Sequence, residues 1–211
     1  MIEGFTNFWE DELYDHTFRN LAAPAIGTMF VGLFTAAPGE AGGGTEVAVG
    51  AYARQSVAFT APTDGAGSNS ALISFPQATA DWGLITHYAL FDAVTAGNMI
   101  GHGPLAGAKK IAQGEAVGDL LHSESHGLVN DNIITLRAII GNALPAGLTA
   151  DIKYFVVGVA GSDFQVSLTQ GGAAVTITAD GITQFALNKQ RQINEDDTFE
   201  FPIGNINVAV R

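Results

Sequence analysis

The beginning of the chain shows the spacing of an amphipathic helix. Asn7 is the predicted N-cap, because Glu10 follows three residues later as in a capping box. Pro24 ends the predicted helix, since proline cannot continue a helical backbone. Apolar side chains recur at intervals of three to five residues, at Phe5, Trp9, Leu13, Phe18 and Leu21. This spacing places them on one helix face, and that apolar stripe must be covered by something.

Carboxylates of the same segment fall mostly on the other side of the predicted helix. They are Glu10, Asp11, Glu12 and Asp15. We interpret them as a solvated face rather than as a metal site, because charged residues opposite an apolar stripe usually face water.

After Pro24 the pattern changes to short apolar runs separated by Gly, Pro, Asn and Asp. This pattern is typical of a sandwich or a barrel rather than of alternating β–α units. The loop at 38–44, with three consecutive glycines at 42–44, and the turn residues at 62–70 lack anchors, so both loops are predicted to be mobile unless a partner orders them. The predicted strands of this part are residues 28–34, 52–60, 72–75 and 84–91.

A weak internal similarity suggests that one domain is inserted into another. Residues 110–117 resemble 192–199 in the placing of isoleucine, turn residue, acid and apolar residue, although chance could produce this. If they flank an insertion, residues 1–118 and 189–211 form an outer domain and 119–188 form an inserted Ig-like β module. Strands of the insert are predicted at 133–140, 154–159, 164–168, 174–178 and 183–187.

The predicted fold class is mainly β. It combines an antiparallel β-sandwich or jelly-roll-like outer domain, one N-terminal helix and a nested small β-sandwich. The chain end also alternates, with Ile206, Val208 and Val210 on one face. This last strand either completes its own sheet or lends an edge to a neighbouring subunit.

Composition excludes several classes of partner. Hydrophobic residues make up 47% and charged residues 14% of the 211 residues, which indicates a folded chain. Nine basic and 21 acidic residues give a net charge of −12, which disfavours binding to nucleic acid and to anionic membranes. The chain has no cysteine, and its start lacks the basic region of a signal peptide, so we expect synthesis in the cytosol without export by that route.

Candidate metal ligands occur at two places. His122, Glu124 and His126 could share a cation, but a serine stands where the metalloprotease motif has glutamate, and a solvated loop is the preferred interpretation. The acids at 195–197 lack the alternating spacing of a calcium loop and are interpreted as a polar turn.

No coherent catalytic set is present in the sequence. His87 and His102 lie in apolar strand surroundings and are interpreted as hydrogen-bonded histidines rather than general bases. A sugar-stacking platform is one reading of the aromatic residues, although aromatics in β proteins usually belong to the core. Its members would be Trp9, Trp82, Tyr52, Tyr88 and Phe91. We assign no catalytic residue, cofactor or metal, and predict that the chain is not an enzyme.

Several motifs occur in a fixed order along the outer domain. They are residues 31–40, 50–55, 75–76, 80–83, 86–92 and the glycine-rich 97–103. With the opening helix and the strands of 199–208, they resemble a family of tailed-bacteriophage virion proteins often labelled tail fibre proteins. Segments of the insert, at 126–128, 144–150, 154–157 and 164–168, are similar to a small β module found in phage structural proteins.

The resemblance implies a non-enzymatic, surface-exposed subunit of a tailed-phage virion, made in the bacterial host cytoplasm. Its expected partners are other virion proteins, either the major capsid protein or tail proteins. Head decoration as a cement protein is preferred, because a small acidic chain without fibrous repeats or a coiled coil suits tiling a shell.

Three roles other than head decoration are considered, and the residues also predict an oligomeric state. A tail fibre or tail-tip subunit is the first alternative, and a glycan-binding host-attachment module is the second. A metal-dependent hydrolase built on His122, Glu124 and His126 is a third. The apolar helix stripe and the terminal strand predict a homo-oligomer, with a homotrimer as the expected form.

Overall fold

The computed structural model of the chain describes residues 4–107 and 109–209. Strands account for 41% and helix for 6% of the structure, so the predicted mainly β fold is confirmed. The helix α1 spans Asn7–Phe18. In chain order, the strands are β1 (Gly4–Phe5), β2 (Met29–Ala36), β3 (Thr45–Glu46), β4 (Gln55–Val57), β5 (Ala66–Ser68), β6 (Ile73–Ser74), β7 (Gly83–Ile85), β8 (His87–Phe91), β9 (Met99–Pro104), β10 (Lys110–Glu115), β11 (Leu120–His122), β12 (Ile133–Ala138), β13 (Lys153–Ala160), β14 (Asp163–Ser167), β15 (Gly181–Leu187), β16 (Arg191–Ile193), β17 (Glu200–Phe201) and β18 (Asn207–Ala209).

The chain divides into two compact units. The first contains the described residues up to Leu105 and those from Gln190 onward, and the second is Ala106–Lys189. The second unit therefore begins before the expected boundary at 119. The reason is that β10 pairs with β11 and β15 and so belongs to the second unit.

The first unit is built on one antiparallel sheet. Its strand order is β1-β9-β8-β2-β3, and β4 also pairs with β2. Three two-stranded pairs, β7 with β16, β6 with β17 and β5 with β18, join the last segment of the chain to this unit. Its core is aromatic and aliphatic, and includes Leu33, Phe75, Trp82, Ile85, Tyr88, Leu90, Ile193, Phe201 and Ile206.

The second unit is a six-stranded barrel. The strands are hydrogen-bonded in a closed ring, β10-β11-β14-β13-β12-β15, where the sequence predicted a small sandwich. Inward side chains alternate with outward ones along β13, with Tyr154 and Val156 buried. The predicted strand at 174–178 is irregular, because Val175 N donates to Val166 O whereas Ile177 N donates to the Asp119 carboxylate.

Both loops that were predicted to be mobile are held by the chain itself. Within 62–70, β5 pairs with β18. In the other loop, Gly44 has φ +85°, and a Cβ there would lie 2.7 Å from Ala36 O, so only glycine fits. Glu40 O in the same loop accepts a hydrogen bond from Asn7 N at 3.2 Å.

The helix differs from its prediction at both ends. Thr6 rather than Asn7 is the N-cap, and its side chain makes no capping hydrogen bond. The helix ends at Phe18, where Arg19 is the C-cap and Asn20 turns the chain with φ 56°. Within residues 4–107 and 109–209, no helix has both the length and the apolar character needed to cross a bilayer.

Candidate docking surface

The first turn of α1 is anchored to the sheet of the first unit. Thr6 is buried, its hydroxyl donates to Met99 O, and its backbone N donates to Ile100 O at 3.1 Å. Phe8 and Trp9 are half-buried and pack against the core. The base of the helix is therefore fixed on β9.

The second half of α1 and the residues after it expose the last three side chains of the predicted stripe, together with Tyr14, which was not part of that stripe. Leu13 is 43%, Tyr14 59% and Phe18 74% exposed, and Leu21 just beyond the helix is 45% exposed. We call these four residues the helix patch. The Tyr14 and Phe18 rings contact each other, with centroids 5.1 Å apart. The helix contacts only β1 and β9 among the described elements, so the sheet covers its first turns and leaves the patch open.

Carboxylates border the helix patch. Glu10 and Asp11 are exposed and lie four and three residues before Tyr14, on the same side of the helix. Asp15 forms an ion pair with Arg19 at 2.8 Å. The sequence placed these acids mostly opposite the apolar stripe. Glu10 and Asp11 nevertheless border the patch, because the patch also includes Tyr14.

The predicted metal cluster separates into two different environments. A carboxylate lies beside each ring nitrogen of the half-buried His122. Asp163 Oδ1 is 2.7 Å from Nδ1, and Glu124 Oε1 is 3.3 Å from Nε2. The hydrogen bond to Asp163 raises the pKa of His122 above its usual value, since the carboxylate stabilises the charged imidazolium. His122 is thus an ion-pairing residue of the barrel surface.

His126 is buried, so the solvated-loop interpretation is wrong for this residue. Its Nδ1 accepts a hydrogen bond from Leu128 N at 2.9 Å, which leaves the proton on Nε2 to donate to Gly161 O at 3.0 Å. Both ring nitrogens are therefore engaged by the backbone, and His126 does not join His122 and Glu124 as a ligand. Across residues 4–107 and 109–209 we find no group of three or more potential ligands suited to a metal.

A polar cluster in the first unit was not predicted from the sequence. Glu46 accepts hydrogen bonds from Arg54 Nε at 2.8 Å, Arg54 Nη2 at 2.7 Å and Tyr52 Oη at 2.9 Å. The Arg54 guanidinium also lies 3.3 Å from the Phe91 ring centroid. Burial, followed by the Glu46 charge, raises the pKa of Tyr52 well above its usual value. A Cβ at Gly32 would lie 2.7 Å from Glu46 Oε1, so that glycine gives the carboxylate its space.

This cluster is structural rather than open to ligands. Arg54 Nη1 donates to Ala93 O at 3.1 Å and to Ala96 O at 2.7 Å. These hydrogen bonds connect the loop after β8 to the residue that precedes β4. Sequence reasoning missed Glu46 and Arg54 because their pairing joins two short strands. The glycine at 32 inside an apolar strand is the one local signal, since an isolated glycine in a strand often marks a close approach.

The aromatic residues of the suggested sugar platform lie mainly in the core. Trp82, Tyr88 and Phe91 are at most 4% exposed. Tyr52 stacks on Phe75, with ring centroids 6.0 Å apart. These rings support the core of the first unit and present no exposed stacking face.

The remaining candidate residues lie in strands and in a turn. His87 Nδ1 lies 2.8 Å from Thr86 Oγ1. His102 is half-buried in β9, and its Nε2 is buried without a hydrogen-bond partner among the described residues, so the hydrogen-bonded interpretation is wrong for this atom. Residues 195–197 lie in a turn, where Asp197 Oδ2 accepts a hydrogen bond from Asn194 N at 2.9 Å. The arrangement fits the interpretation of this segment as a polar turn.

A mainly β chain with an exposed apolar helix patch has the features of a structural subunit that binds other proteins. Residues 4–122 match a family model described as podophage GP4 fiber I protein gp80. This match covers more than half of the 211 residues, so the chain belongs to the Gp80 family of phage fibre-type structural proteins. No curated protein matches the chain.

The family match confirms the resemblance to phage tail fibre proteins. It runs from β1 through β11 and so includes α1 and the helix patch. Membership of a phage structural family implies a location in the virion and contacts with other virion proteins. It agrees with the tail-fibre alternative better than with head decoration, for which the family gives no specific support.

Proposed function

We propose that the chain is a non-enzymatic structural subunit of a phage tail fibre. The observation that supports this proposal is the match to a podophage fibre family over residues 4–122. The structure adds an exposed apolar helix on an anchored base, which suits attachment to a neighbouring protein. Head decoration rests only on composition and on the absence of fibrous repeats.

In this proposal the first unit attaches the subunit to the virion. It carries the helix patch, which is the apolar surface that needs cover. The second unit is proposed to be an inserted module that faces the medium. Ala106 and Asn188 form a β-bridge, so the module enters and leaves the chain at neighbouring points.

A homotrimer remains our proposal for the assembly state. Ile111 and Ile182 are exposed on the outer face of β10 and β15, opposite Gln184 and Gln113 respectively. None of these four side chains is charged, so contact between copies there brings no carboxylates together. Light scattering of the purified chain tests this. A monomer at micromolar concentration and in disrupted particles would exclude the trimer.

Gold labelling of intact particles tests the fibre role. A peptide tag after Gly141 suits this experiment, because the neighbouring Ile140 is fully exposed and a Cβ at Gly141 would have no atom within 4 Å. Label on the tail is the expected result, with untagged particles as the control. Label confined to the head would support decoration instead, and particles that contain no copy of the chain would refute both roles.

A further inference from the structure

We propose that the helix patch binds an apolar groove bordered by lysine or arginine on a different protein of the virion. This inference rests on the proposed function, because it names the kind of partner that holds the subunit.

The patch has the geometry of a helix that binds in a groove. Tyr14 and Phe18 are four residues apart and touch, which forms one exposed aromatic ridge, and Leu13 and Leu21 are further exposed apolar side chains of this segment. Helices that bind in grooves present apolar anchors at such spacing, and aromatic anchors contribute most of the binding free energy. The hydrogen bonds of Thr6 fix the first turn before binding, so little ordering is required.

The charge beside the patch selects the partner. Glu10 and Asp11 are exposed, and no cation of the described residues lies within ion-pair distance of either. Two unpaired carboxylates next to an apolar ridge complement a groove with a basic rim. Asp15 contributes less, because Arg19 already neutralises it.

The same charges argue against the two other occupants. A two-fold contact with parallel helices would bring Glu10 and Asp11 of both copies together, and in either orientation the contact joins two chains of net charge −12. An anionic membrane surface would repel the helix in the same way. A different protein with complementary charge is therefore the occupant that these residues favour.

The test uses the phage that encodes the chain, carrying substitutions in this gene. The patch variant is Tyr14→Ser with Phe18→Ser, and the charge variant is Glu10→Gln with Asp11→Asn. Ile140→Ser is the control, since Ile140 is an apolar residue of the second unit that is even more exposed than Tyr14 and Phe18. Copies of the chain per purified particle are measured by quantitative mass spectrometry relative to the major capsid protein. Circular dichroism of each purified variant verifies folding.

We expect particles with the patch variant to contain at least about tenfold fewer copies of the chain, because removal of the aromatic anchors of an interface greatly weakens binding. The charge variant should fall several-fold, and its remaining copies should be less sensitive to added salt than the wild-type copies. The Ile140 control should match the wild type.

Four results would overturn the inference. A patch variant present at the wild-type copy number would show that the helix patch does not hold the subunit, while leaving the proposed function intact. A charge variant present at that number would show that the partner groove has no basic border. If the purified wild type is an oligomer that the patch substitutions convert to monomer, the patch pairs copies instead. Wild-type particles without the chain would overturn the proposed function itself and, with it, this inference.

Discussion

Asn69 forms hydrogen bonds with both backbone polar groups of Ile206, although the two residues lie 137 positions apart along the chain. Its Oδ1 accepts from Ile206 N at 2.8 Å, and its backbone N donates to Ile206 O at 3.0 Å. The amide Nδ2 donates to Ala71 O at 2.8 Å and to Pro202 O at 2.9 Å. Both residues are fully buried, so this one side chain joins the loop before β6 to the last segment of the chain.

Replacement of Asn69 by alanine is therefore expected to destabilise the first unit by about 3 kcal/mol, because it leaves buried donors and acceptors unpaired. Urea unfolding followed by tryptophan fluorescence measures this, since both tryptophans, Trp9 and Trp82, belong to the first unit. Asn207→Ala is the control. Its exposed amide makes one hydrogen bond, to Gly204 O, and its loss should cost no more than about 0.5 kcal/mol. Equal effects of the two substitutions would contradict the role given to Asn69.

Arg54→Ala is expected to cost about 3 kcal/mol of unfolding free energy. The substitution leaves Glu46 partly buried without its cation and removes the stacking on Phe91. The matched control is Arg19→Ala, which breaks an exposed ion pair with Asp15 and should change the free energy by at most about 0.5 kcal/mol. The same urea titration measures both, and a small effect for Arg54 would show that the cluster adds little to stability.

The His122 imidazolium should stabilise the barrel at low pH. Because its pKa is raised in the folded state, this stabilisation is fully present below the unfolded value of 6.5 and is lost as the pH rises through the folded value. An NMR titration of the His122 ring should give a pKa above 6.5 that falls in Asp163→Asn. Glu124→Gln should lower it less, because the Asp163 hydrogen bond is the largest cause. An unchanged pKa in Asp163→Asn would contradict this assignment.

Removal of residues 106–189, with a short Gly-Ser link between 105 and 190, should leave the first unit folded. The bridge between Ala106 and Asn188 shows that the two ends of the module meet, so a short link can replace it. Circular dichroism should show a cooperative thermal transition with strand structure. Loss of that transition would show that the first unit depends on the module.

Removal of 119–188 instead provides the contrasting deletion. It retains β10 but takes away β11 and β15, which are its pairing partners. An unpaired strand edge favours aggregation, so this shorter deletion should be less soluble than the longer one. Equal solubility of the two deletion variants would indicate that the second unit begins nearer to residue 119, the boundary expected from the sequence.

Local patterns predicted the elements whose side chains alternate over several residues. The strand expected at 28–34 corresponds to β2, and the one at 164–168 corresponds to β14. Strands of two or three residues, such as β5 and β18, are too short to show a period, and their pairing depends on contacts far apart in the chain. The opening stripe was visible as apolar spacing, but spacing alone does not say which turns the sheet covers.

The candidate site was harder to predict for a related reason. The residue types at His122 and His126 suggested one cluster, yet the fold turns one ring to the surface and buries the other against Phe164. Apart from Gly32, the sequence contains no signal of the Glu46–Arg54 pair, since opposite charges eight residues apart meet only after β3 and β4 pair with the same neighbour.

The closed ring of the second unit bears on how the protein can change over evolution. Outward residues alternate with inward ones along its strands, as Thr135 and Arg137 do on β12, while inward residues such as Ile134 and Phe164 maintain the fold. Substitutions at the outward positions therefore change the stability of the barrel little. Outward positions that make no contact with another protein can therefore change one substitution at a time while the barrel itself is retained.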